Sequence, residues 1–371
     1  MSTIRRIRSS IALTAAISAL ALATTACKKD EPPAAPAVPS PAAPKALTKA
    51  DLAMLAPLPT VFDSKTNPVT DAKVTLGQML YHEKRLSKGG ELSCNSCHQL
   101  DKFGVDGKPT STGDKGQLGG RNSPTVFNAA GHMAQFWDGR AADVEEQAKG
   151  PILNPVEMAM ESSATVVATL KGIPGYVTAF AAAFPGEADP VTYDNLGRAI
   201  GAFERKLSTP AKLDKYLAGD DSALSEEEKK GAQEFVAVGC TACHNGALVG
   251  GAMYQKAGLV KPWPNQKDLG RFDVTKKEVD KLFFKVPSLR NIAKTAPYFH
   301  DGSVATLGEA IKQMADHQLG KSLTDAQVAS IATFLGALTG EVDTVLTAVP
   351  VLPPAVDDSA KIAEPVPPPA K

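Results

Sequence analysis

Charge of one sign is what this 371-residue chain lacks: 40 Lys and Arg meet 40 Asp and Glu, for a formal net charge of zero. Such a chain has no long-range field to gather nucleic acid or an anionic membrane surface, and no local basic patch stands in for it. Aromatic residues are scarce, at 6%. Between residues 46 and 348 no sustained apolar–polar alternation marks a strand. Cysteine is also rare, with five in all: Cys27, Cys94, Cys97, Cys240 and Cys243. Long apolar runs are missing too, apart from one near the N-terminus that is too short to span a bilayer.

That run sits in a recognisable setting. Arg5-Arg6-Ile7-Arg8 precedes apolar residues from Ile11 to about Ala23, and Thr24-Thr25-Ala26 then leads to Cys27. A charged segment, an apolar segment and a small-residue cleavage zone together predict an export signal over residues 1–26. Cys27 stands where a lipoprotein acceptor cysteine would, so the expectation is a periplasmic chain anchored to a membrane through lipidated Cys27. A Pro/Ala-rich tether follows to residue 47, and residues 349–371 have the same composition. Both ends are expected to be disordered.

The middle reads as all-α. Val74 to Glu83 forms an amphipathic pattern, and Leu196, Ile200, Phe203 and Leu207 recur at helical spacing. Ser225-Glu226-Glu227-Glu228 predicts a capping box opening a helix to Val238, and Thr324-Asp325-Ala326-Gln327 opens another. Each half places a helix before a Cys-x-x-Cys-His, which suggests a duplicated design. The expected organisation is two cytochrome c-like domains with long loops, over 48–210 and 211–348.

The two motifs are Cys94-Asn95-Ser96-Cys97-His98 and Cys240-Thr241-Ala242-Cys243-His244. Two cysteines three apart can add to the two vinyl groups of one haem, and the adjoining histidine then becomes the iron's proximal ligand. A thioredoxin-like pair would need a βαβ setting that is absent, and a zinc site would leave both histidines unexplained. Two covalently bound c-type haems are therefore expected. After the second motif the methionines are Met253 and Met314. Met253 is too close in sequence to reach the far face of the ring, so Met314 is assigned as the second iron's axial ligand, giving a His/Met centre of raised potential. For the first iron, spacing leaves His132, Met133, Met158 and Met160 open.

From about Leu76 to Gly340 the sequence resembles the bacterial di-haem cytochrome c peroxidases, a family that includes the di-haem maturase of methylamine dehydrogenase. The likeness rests on an ordered series of segments. They are Gly119 to Val126 (GGRNSPTV), Gln135 to Ala141 (QFWDGRA), Gln147 to Pro151 (QAKGP), Asn154 to Met158 (NPVEM), Lys285 to Asn291 (KVPSLRN) and Ala296 to Gly302 (APYFHDG).

The resemblance implies a peroxidatic haem on Cys94, Cys97 and His98, and an electron-accepting haem on Cys240, Cys243, His244 and Met314. It implies Trp137 as a stepping stone between them, and Glu157 with Gln147 as the distal pair. It further implies a calcium site on Asn122 and the carbonyls of Thr295 and Pro297, a small cytochrome c or cupredoxin as donor, and a homodimer. A carboxylate over the iron suits the chemistry, because splitting a peroxide bond requires moving a proton from one oxygen to the other. One position departs from the pattern: Asp114 stands where many members carry a loop histidine that closes the peroxidatic iron. The expectation is an iron left open at rest, with His132 as the alternative closing ligand. Methionine at 314, where the maturase branch has tyrosine, favours a peroxidase.

Overall fold

The computed structural model describes residues 47–355; the signal-like segment, Cys27, most of the tether and the residues from 356 onward lie outside that range. The described residues are mostly helical. In chain order the helices are α1 (Asp71–Tyr81), α2 (Cys94–Cys97), α3 (Val144–Leu153), α4 (Ser163–Lys171), α5 (Pro174–Ala183) and α6 (Tyr193–Glu204). They continue with α7 (Lys212–Leu217), α8 (Glu226–Val238), α9 (Phe272–Thr275), α10 (Leu307–Leu319), α11 (Asp325–Gly336) and α12 (Thr344–Thr347). Two three-residue strands, β1 (Tyr254–Lys256) and β2 (Phe283–Lys285), pair antiparallel with Tyr254 opposite Lys285.

Two hydrophobic clusters organise these helices. The first gathers Leu76 and Leu80 of α1, Ile152 of α3, Phe180 of α5 and Ile200 and Phe203 of α6. The second gathers Phe235 of α8 with Ile331, Phe334 and Leu335 of α11, joined by Leu52 and Leu213. Each cluster turns on one close helix crossing made possible by a glycine. A Cβ on Gly77 would lie 2.0 Å from the Ala199 carbonyl oxygen, and one on Gly231 would lie 2.1 Å from that of Ser330. Any larger residue would force the helices apart and open both cores.

The sequence echoes this repetition. Pro124-Thr125-Val126-Phe127-Asn128 and Pro287-Ser288-Leu289-Arg290-Asn291 both end on an asparagine in the left-handed region, at φ 62° and 61°. Thr209 joins them: its hydroxyl accepts from Asn128 Nδ2 at 2.8 Å and from Asn291 Nδ2 at 2.9 Å, with all three side chains fully buried. A second link is ionic. Asp214 takes two bonds from Arg290, at 2.7 and 2.9 Å, and also accepts the Leu58 and Ala211 amides.

Helix boundaries follow their caps. Ser225 and Thr324 make reciprocal capping boxes with Glu228 and Gln327, as the sequence predicts. Thr70 caps α1, which begins at Asp71, three residues before the expected start, and α6 stops at Glu204 rather than Leu207. The expected disordered tail needs correcting at its beginning. Arg85 Nη2 donates to the Pro353 carbonyl at 2.8 Å, and Gln78 Nε2 donates to those of Leu346 and Ala348. Val342 and Leu346 add apolar contact to the first cluster, so residues 342–353 form a strap across it.

Candidate functional site

Each Cys-x-x-Cys-His opens on its own cavity. The first, about 600 Å³, is lined by Cys94, Cys97, His98, Gln147, Met158 and Glu157 among others. The second, about 220 Å³, is lined by Cys240, Cys243, His244 and Met314 with a largely carbon wall. None of these four cysteines is in a disulfide, so the thiols stay available to a ligand. Burial pushes the Cys94 thiol up to about 12 and that of Cys240 to about 11, which keeps both protonated.

The histidines are set for one role. His98 Nδ1 stands 2.9 Å from the Pro124 carbonyl and must donate to it, leaving Nε2 with its lone pair. His244 Nδ1 faces the Val249 carbonyl at 3.2 Å in the same manner. Burial depresses both, His244 to about 4, so each imidazole is neutral, the form that ligates iron. An oriented histidine, two free thiols and an enclosed cavity fit a haem in each half. At the second site the backbone is packed so closely that a Cβ on Gly250 (φ 135°) would meet the Pro287 carbonyl oxygen at 2.1 Å.

Trp137, Asn122, Pro124, Thr125 and Lys285 line both cavities and form the partition between them. Trp137 Nε1 donates to the Asn122 carbonyl at 2.9 Å, and the indole meets His300 edge-on at 6.4 Å. His300 lines the second cavity and stacks on Phe284, with ring centroids 4.2 Å apart. Asn122 spends its amide nitrogen on the Lys108 carbonyl, so Oδ1 is its remaining electron donor. Thr295 and Pro297 line the second cavity with it. Among the described residues no trio of His, Cys, Asp or Glu could hold a metal ion, so a cation here would rest on such neutral oxygens.

Over the first cavity, burial raises Glu157, while Arg140 and then the Asn154 side chain pull it back. Gln147, on α3, shares the same wall. The loop bearing Asp114 folds against the Glu157 segment: the Asp114 amide donates to the Glu157 carbonyl at 2.8 Å, and Gln117 Nε2 reaches that of Pro155. Asp114 does not line the first cavity. The other ligand candidates separate by position. Met133 is exposed, and Met158 and Met160 both belong to the first core, but of these only Met158 lines the cavity, together with His132. His132 Nδ1 is tied to Lys285 Nζ at 2.8 Å, and its Nε2 is buried without a partner.

Two residues of the site carried no assigned role in the sequence reading. Arg140 stacks on Phe136, 3.4 Å from the ring centroid, and bonds Asp138. Lys285 is buried, which lowers it to about 7. Its signal was a lysine inside the apolar run Leu282-Phe283-Phe284-Lys285-Val286.

Paired haem-motif cavities sharing an aromatic partition in a helical scaffold define a two-haem redox protein. Comparison with known proteins agrees. Residues 71–222 match the family described as di-haem cytochrome c peroxidase. The chain is 46% identical to cytochrome c551 peroxidase of Pseudomonas aeruginosa over 319 residues, covering 84% of this chain and 91% of the relative. It is 47% identical to cytochrome c551 peroxidase of Nitrosomonas europaea over 290 residues, covering 77% and 85%. Among solved structures, a MauG-like protein associated with microbial copper homeostasis superposes with a TM-score of 0.69 at 30% identity, covering 79% of this chain and 97% of that one. The chain belongs to the di-haem cytochrome c peroxidase family and is an oxidoreductase of that class.

Proposed function

We propose that this protein reduces hydrogen peroxide to water outside the cytoplasm, drawing electrons from a small cytochrome c or cupredoxin. The observation that carries the reading is the wall of the first cavity, where Glu157 and Gln147 face the space beside His98. In this reading the haems are attached through Cys94 and Cys97, and through Cys240 and Cys243. Bound there, haem supplies redox-active iron for peroxide and for single electrons. Gln147 holds peroxide by hydrogen bonding, and Glu157 takes a proton from one oxygen and returns it to the leaving one. Such general acid–base help is typically worth ~10²–10⁴-fold. His244 and Met314 frame the electron-accepting site, and Trp137 spans the partition. Asn122, Thr295 and Pro297 are the proposed calcium ligands, lipidated Cys27 the proposed anchor, and a homodimer the proposed assembly.

Asp114 bears on the resting state. Its loop is bound to the Glu157 segment and offers the cavity no imidazole, and in this reading Lys285 Nζ donates to His132 Nδ1, which puts the ring proton on Nε2 and leaves no lone pair there for iron. The proposal is an iron open to peroxide without prior reduction. The test is peroxide consumption by the fully oxidised, haem-loaded protein with a reduced small cytochrome as donor. Turnover without a lag supports both statements. A lag removed by pre-reduction keeps the peroxidase and overturns the open iron. No turnover after pre-reduction, with calcium present, overturns the peroxidase in favour of an electron carrier.

A further inference from the structure

Glu157 borders two spaces. Beyond the first cavity lies a cleft of about 480 Å³ lined by Phe136, Arg140, Ala141, Ala142, Glu146, Gly150, Pro151, Asn154 and Glu157. Phe136, Arg140, Pro151, Asn154 and Glu157 belong to both, so they form the neck joining the cleft to the haem-motif cavity. Ala142, Glu146 and Gly150 are exposed and mark the mouth. The cleft is therefore the approach to Glu157 from solvent.

Its size is not that of hydrogen peroxide. Water occupies about 30 Å³ in the liquid and peroxide is not much larger, whereas clefts of roughly 300–1,000 Å³ take organic molecules. Its walls are mixed: Phe136, Ala142 and Pro151 supply a strip of carbon beside the polar Arg140, Glu146, Asn154 and Glu157. The Phe136 ring is held deliberately. Its backbone lies at φ 64°, a costly conformation for a bulky residue, and the Gln135 amide closes the loop on the Ala141 carbonyl at 2.8 Å. The Arg140 guanidinium lies over the ring and is fixed in turn by Asp138.

We infer that the Phe136–Arg140 cleft admits small alkyl hydroperoxides as well as hydrogen peroxide, placing the O–O end at Glu157 and the alkyl tail on the carbon strip. The inference rests on the peroxidase reading above. The reaction balances as ROOH plus two electrons and two protons giving ROH and water. The O–O bond breaks, the electrons come from the same redox-protein donor, and the protons come from solvent through Glu157.

The test uses the full-length haem-loaded protein with reduced small cytochrome as donor, assayed in parallel with hydrogen peroxide and tert-butyl hydroperoxide. Turnover of both is expected, with tert-butyl alcohol as the product of the second. Gly150→Leu narrows the cleft, since a Cβ there already lies 3.5 Å from Phe136 Cζ. It should shift the ratio of the two kcat/KM values toward hydrogen peroxide by roughly tenfold or more, as one or two methylenes do in a shaped pocket. A readout without turnover is the spectral shift of the reduced protein on adding carbon monoxide or tert-butyl isocyanide: both bind the parent, and the isocyanide selectively weakens in the variant. Ala142→Trp, at the exposed mouth, repeats both measurements should Gly150→Leu not retain haem. Hydrogen peroxide turned over with tert-butyl hydroperoxide inert overturns this inference alone, as does an unchanged ratio in the narrowed variants. Neither peroxide turned over overturns the peroxidase reading itself.

Discussion

Opposing pulls meet on the proton affinity of Glu157: burial raises it and the Arg140 guanidinium lowers it. In the proposed role of base it must be ionised to accept a proton from peroxide, so kcat/KM is expected to fall as the pH drops through its raised value. Arg140→Met removes the opposing charge, and the acid limb of the pH profile should then move to higher pH. Glu157→Gln keeps the shape and removes the proton transfer; turnover should fall by ~10²–10⁴-fold with the haem spectrum unchanged. Glu204, which also lines the first cavity, illustrates the same physics. Burial, with Glu145 adding repulsion, holds it up at about 8 against an ordinary value of 4.5. Its contribution to stability is full below pH 4.5 and is lost as the pH rises through about 8, because the unfolded chain releases that proton earlier. Glu204→Gln should flatten this slope, gaining melting temperature relative to the parent at pH 9 but not at pH 5.

At the scale of elements, caps decide what can be read. Ser225 and Glu228 satisfy each other's end of α8, and Ser225→Ala should cost about 1 kcal/mol, measured as a lower denaturation midpoint. Such pairings made α8 legible in the sequence from its cap to Val238 and marked the start of α11 at Thr324. Helices α4 and α5 were not singled out, because Ala-rich stretches such as Ala179 to Ala183 carry little apolar periodicity. The site divided in the same way. Cysteine–histidine spacing exposed both haem motifs unaided, and elimination among two methionines led to Met314, which the fold brings to the His244 cavity. Glu157, Gln147, Trp137 and Asn122 were visible only through family likeness, since a lone carboxylate or amide in a loop has no spacing signature. Lys285 works through His132, 153 residues away, a pairing no linear pattern reports, and Arg140 through a local turn that folds it back on Phe136 and Asp138.

For the molecule as a whole, Thr209 and Asp214 are the joints between halves. Thr209→Val preserves shape but strands two buried amide donors, and should cost about 2 kcal/mol or more, read as a lower midpoint for the single unfolding transition. Arg290→Met leaves the Asp214 carboxylate buried without its charge partner, for an expected loss of about 3–5 kcal/mol. The strap of residues 342–353 has a consequence of another kind. Its Val342 and Leu346 complete the core built by residues 74–207. During synthesis the segment that closes the first core therefore emerges after every residue it covers. Until then the Cys94–His98 segment belongs to an unfinished body. Sequence order thus acts as a timer that delays closure of the first core until residues 342–353 have been made.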